Sequence, residues 1–129
     1  MNGVAKGFFT AAIIYGVLGM LLGLFMAITQ NHGEMPTHAH TMVIGWLSFS
    51  IFGFFYHLFG KSVSRVISLI HIWMAQCALI GLIIGLLLVY SGKPEYEPIA
   101  AVSAMTYALS FLIFAIAALP TLWTRASNL

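Results

Sequence analysis

The sequence predicts an all-α protein set in a lipid bilayer as a four-helix bundle, and three observations predict it. First, the chain of 129 residues is 61% hydrophobic and 6% charged. A soluble domain of that length cannot hide so much apolar surface, because small folds leave a large share of it in contact with water. Second, four apolar runs are long enough to cross the hydrocarbon core, which takes about twenty residues as a helix. Third, the connections between those runs are short, which makes consecutive helices antiparallel neighbours. The length is that of one domain.

The first run covers residues 7–29. Lys6 precedes it as a signal peptide's charge would, but the run is too long for a signal core and has no clean small-residue cleavage site. A retained span is therefore expected. The second run covers 39–59, the third 66–90 and the fourth 98–122. Gly19/Gly23 in the first and Gly81/Gly85 in the third are small-xxx-small pairs, which let helices approach closely. Gly45, Ser48 and Gly53 suggest a close neighbour or a bulky ligand against the second. Cys77 is the sole cysteine, so disulfides are excluded and a core-filling role is expected. The chain has no internal repeat and no phosphate-binding glycine loop, and its charge is too sparse for nucleic acid.

Charge placement predicts orientation. Lys6, Lys61, Arg65 and Arg125 lie at the N-terminus, the second connection and the C-terminus. Lys93 and all three acids, Glu34, Glu95 and Glu97, lie in the other two connections. The positive-inside bias then puts both termini on the cytoplasmic side of the inner (plasma) membrane, with residues 30–38 and 91–97 facing outward.

Five histidines carry the functional question. Pro36 and Thr37 look like helix-entry chemistry, with Thr37 as N-cap and His40 in the first turn. Neutral imidazole is the form that ligates a metal. His40 reads either as such a ligand or as an interfacial histidine bonded to water or backbone. His38 lies two residues earlier, and if both positions are helical their side chains point about 200° apart. If residue 38 is extended, a His-x-His chelate becomes possible instead. With His32, Met35 and Met42 nearby, the same cluster offers a soft copper site.

His57 lies seventeen residues beyond His40, roughly 25 Å along a helix axis at a rise of 1.5 Å per residue. His71 falls in the same half of the third span, so the two are expected as a hydrogen-bonded interfacial pair. Gln76 and Thr106 are expected to be satisfied by neighbouring helices. Trp123 and Tyr90 suit an interfacial aromatic belt. Trp46, almost two turns into the second span, either walls a cofactor pocket or packs.

The stretch HTMVIGWLSFSIFGFFYHL, His40 to Leu58, resembles the second helix of subunit I in the heme-copper oxidase and nitric oxide reductase superfamily. The preceding THAH resembles the start of short, four-span proteins described as oxidase subunit I-like. The resemblance implies that His40 is an axial ligand of a low-spin heme b, in a protein of electron transfer or of O₂ or NO binding. An electron-donor protein or a quinol is the partner it implies. Full-length members have twelve spans in three four-helix arcs about a pseudo-threefold axis. This chain resembles one arc, which implies a homotrimer in which His38 and His40 of adjacent copies ligate one heme. Met105, near the outer end of the fourth span, is the sixth ligand available within one chain, and a His/Met pair would raise the potential relative to two histidines.

The chain also departs from that family. It lacks the copper-binding histidine cluster, and no carboxylate falls within a span. Proton-coupled oxygen reduction needs intramembrane groups that relay protons, so a complete oxygen reductase is not expected from this chain by itself. Two other readings stand beside the heme protein. One is a copper-binding membrane protein using His32, Met35, His38, His40 and Met42. The other is a cofactor-free assembly subunit of a respiratory complex.

Overall fold

The structure, a computed structural model, describes residue 1 and residues 3–126, with side chains as far as residue 124. The Arg125 side chain, which entered the charge argument, lies outside that description. No strand occurs among the described residues. Four helices are long and apolar enough to cross a membrane: Gly3–Thr29, Met35–Ser62, Arg65–Tyr90 and Pro94–Thr124. Each extends the run that the sequence predicts, because a helix continues past its apolar stretch into the interface.

Local chemistry ends these helices. Gln30 closes the first with a positive φ of 56°, and its side-chain amide donates to the Ala27 carbonyl at 2.6 Å. Gly92, with φ 91°, closes the third, where its own N–H and that of Lys93 return to the carbonyls of Val89 and Leu88. A left-handed residue placed there satisfies carbonyls that the helix leaves free.

The second helix starts four residues earlier than expected. Pro36 occupies one of its first two positions, where a missing N–H costs nothing. Thr37 is not the N-cap. It lies inside the helix, and its hydroxyl donates to the Glu34 carboxylate at 2.6 Å. His40 consequently sits in the second turn. The same helix changes its hydrogen-bond pattern along its length. It is α-helical over Met35–His40, π-helical over Thr41–Ser48 and α-helical again over Phe49–Phe59. The Ser48 hydroxyl follows the wider spacing and donates five residues back, to the Val43 carbonyl at 2.9 Å. Stretches of π-helix are rare and cluster at functional sites.

The first and second helices approach most closely where glycine removes a side chain. A Cβ built on Gly45 would lie 2.7 Å from Tyr15 Cβ. The third and fourth pack in the same way, with Gly85 against the Ala100 backbone. Aromatic rings join the two pairs. Phe8, Phe49, Phe52 and Tyr56 meet His71, Phe111 and Phe114 in one cluster. His71 is 0% exposed at its centre, 4.7 Å from the Phe52 ring and stacked on Phe114 at 5.3 Å. Its partner is Tyr56, hydrogen-bonded to Nδ1 at 2.9 Å. The expected pairing with His57 is therefore replaced: His57 is exposed, because Tyr56 and His57 point to different sides of the helix.

Gly45→Ala should lower stability by about 1–3 kcal/mol, since Tyr15 Cβ is tied to its backbone and cannot swing aside. The check is the unfolding midpoint in detergent, and an unchanged midpoint would contradict the close approach. Tyr56→Phe leaves the buried His71 Nδ1 without its partner and should cost about 1–3 kcal/mol by the same measurement.

Candidate functional site

Two imidazoles stand at the end of the bundle that carries Glu34, and the second helix places both. His38 and His40 lie in its first α-helical stretch, Met35–His40, so residue 38 is helical rather than extended. Their side chains accordingly point about 200° apart around the helix. Both are half-buried.

His40 Nδ1 lies 2.7 Å from the Pro36 carbonyl oxygen, one turn back in the same helix. His38 Nδ1 lies 2.8 Å from the Gly19 carbonyl oxygen of the first helix. A carbonyl oxygen can only accept, so each Nδ1 carries the proton and donates it. In a neutral imidazole that leaves Nε2 with a free lone pair. Neither Nε2 has a hydrogen-bond partner among the described residues. Ligating histidines commonly hold this arrangement, with the far nitrogen donating to a carbonyl and thereby fixing tautomer and ring direction.

Two glycines on the first helix seat His38. A Cβ on Gly23 would lie 2.8 Å from His38 Cε1, so the imidazole lies where any side chain would stand. Gly19 supplies the carbonyl and also makes room for Met42, whose Sδ would be 2.5 Å from a Cβ there. The Gly19/Gly23 pair that the sequence marks as a helix contact is thus the bed of a histidine and a methionine. Glu34 steadies the entrance. One carboxylate oxygen accepts from Thr37, and the other accepts from Ser91 Oγ at 3.2 Å, at the end of the third helix. Glu34, Pro36, Gly23 and Ser91 were missing from the sequence-derived site. The signal for Pro36 was its place four residues before His40, one helical turn.

The remaining candidates are dispersed. Trp46 lies with its ring over Gly16, whose Cβ would be 3.1 Å from Trp46 Cε3, as a packing residue does. Met105 is 65% exposed on a helix packed against the third. His32 and Met35 are exposed. Cys77, expected as core filler, is exposed as well. Thr106 donates to its own helix, at the Val102 carbonyl. Gln76 Oε1 and Tyr15 OH are buried without hydrogen-bond partners among the described residues. No three His, Cys, Asp or Glu side chains among the described residues lie together as a metal-binding group.

The chain matches no protein-family model, no curated protein and no solved structure.

Labelling the histidines with ¹⁵N tests the tautomers directly. His38 and His40 should resonate as protonated Nδ1 and unprotonated Nε2, and a protonated Nε2 on either would overturn the assignment. Gly23→Val should displace the His38 ring and shift its signals while leaving those of His40 in place.

Proposed function

We propose that this chain is a heme-b-binding membrane protein in which His40 Nε2 is an axial ligand to the iron. The single observation that carries the reading is the His40 Nδ1 bond to the Pro36 carbonyl. It holds the ring, sets the tautomer and leaves a lone pair unpartnered at the mouth of an apolar helix. The resemblance of His40–Leu58 to the low-spin heme helix of the heme-copper oxidase superfamily supports the same residue in the same role.

Heme, when bound, supplies one-electron redox chemistry or a site for O₂ or NO. The protein's part is to hold the iron between ligands of fixed orientation in a water-poor setting. His38 is oriented independently by Gly19 and diverges from His40 on one helix. A single chain therefore does not offer both imidazoles to one iron. Ligation by two histidines calls for His38 of one copy and His40 of another, in keeping with a homotrimer that rebuilds the threefold ring. The charge pattern supports N-in and C-in placement in the inner membrane, with the histidine end outward. A quinol or an electron-donor protein is the partner that fits electron transfer.

The copper reading draws less support. Its donors are divided among exposed positions, His32 and Met35, side chains already packed on the first helix, His38 and Met42, and His40, whose ring is turned to the Pro36 carbonyl of its own helix.

Purified protein should show a Soret band and a heme-b pyridine hemochrome, and His40→Ala should abolish both. An undiminished band in that variant would overturn the assignment. His38→Ala should convert the six-coordinate spectrum to a five-coordinate one, and a detergent-solubilised mass equal to one chain with heme retained would rule out ligation between copies.

A further inference from the structure

The first and third helices run side by side in the same direction and leave a groove between them with a volume of ≈ 1140 Å³. Its mouth is formed by Lys6 and Arg65, the charged residues at the start of each helix. Both are exposed, and neither makes an ion pair or hydrogen bond among the described residues. Ala11, Ile14, Leu69 and Ile72 form apolar walls beyond the mouth, and Tyr15 and Gln76 lie deeper. No acidic residue is among the described residues of the lining. The three acids of the chain, Glu34, Glu95 and Glu97, fall at the opposite end.

Two quantities narrow the occupant. Lys6 and Tyr15 are nine residues apart, about 14 Å along the helix at 1.5 Å per residue. Half the hydrocarbon core of a bilayer is about 15 Å thick. From its two unpaired cations to Tyr15 the groove thus runs the depth of one leaflet, and Ile80 lines it one turn beyond Gln76. A cationic mouth over an apolar channel of leaflet depth complements an anionic head carrying an acyl chain. Basic pockets between membrane helices recognise anionic lipid headgroups by this charge pairing.

We propose that this groove binds an anionic phospholipid of the adjoining leaflet, with its phosphate on Lys6 and Arg65 and one acyl chain along Ile14, Leu69 and Ile72. The site lies at the opposite end of the bundle from His38 and His40 and does not depend on the heme reading.

The test is native mass spectrometry of the detergent-solubilised chain titrated with phosphatidylglycerol, phosphatidylcholine or oleate. One phosphatidylglycerol per chain should be retained in preference to the other two. The double variant Lys6→Gln/Arg65→Gln should weaken that retention roughly thirtyfold, and each single variant about fivefold. Ile14→Trp keeps both cations and fills the channel, and should also release the lipid. All three positions are exposed, and an unchanged helical unfolding midpoint verifies that each variant is folded. Equal retention of phosphatidylcholine, preference for oleate, or undiminished binding in the double variant or in Ile14→Trp would each overturn the proposal.

Discussion

Hydrocarbon offers no hydrogen bonds, so a polar atom carried into it must find a partner within the protein. The serine and threonine hydroxyls of this molecule bond largely inside their own helices, whereas the Tyr15 and Tyr107 hydroxyls are buried without partners among the described residues. Thr41 donates to Thr37, Ser50 to Trp46, Ser68 to Ser64, Thr106 to Val102, Ser110 to Tyr107 and Thr121 to Ala117, each to a carbonyl about one turn back. A hydroxyl satisfied in this way says nothing about which helix stands beside it. The polar contacts that do reach across helices are few, and they carry correspondingly more of the arrangement. His38 reaches the Gly19 carbonyl, Tyr56 reaches His71, and Ser91 reaches Glu34.

Packing supplies the rest. Lipid tails are as apolar as leucine, so no hydrophobic force draws these helices together. Association depends instead on close contact and on interhelical hydrogen bonds. The two modes divide the bundle. At the Glu34 end, glycines let the first and second helices approach until His38 and Met42 rest on the first helix's backbone. At the Lys6 end, rings meet instead, and the aromatic cluster closes around His71. Aromatic pairs of this kind contribute about 0.5–1.5 kcal/mol each beyond their buried area, which makes that cluster the natural anchor between the two helix pairs. The groove between the first and third helices has Tyr56 of that cluster, Tyr15 and Trp73 on its walls.

The histidines show how differently one residue type is used. His57 points outward, His71 is enclosed, and His38 and His40 turn their Nδ1 atoms to carbonyls and keep Nε2 free. Hydropathy treats all of these alike. For His40 the partner is one turn away in the same helix, so the sequence could place both the residue and its orienting proline together. For His38 the partner belongs to another helix, nineteen residues back. Spacing could mark Gly19 and Gly23 as a contact surface, but it could not say what lies on them. The same blindness explains His71, whose neighbour in depth was legible while its neighbour in rotation, Tyr56 rather than His57, was not.

From the sequence by itself came the four spanning helices, their antiparallel order, the charge asymmetry between the two ends and the choice of His40 as the residue to watch. These follow from run length, short connections and local spacing, and none requires knowing how one helix is rotated against the next. The tertiary structure decided the seating of His38, the burial of His71 and the groove behind Lys6 and Arg65. Each of those depends on register and rotation between helices. In a chain this uniformly apolar no hydropathic stripe records that information, and only the interlocking of glycines, rings and a few crossing hydrogen bonds selects it.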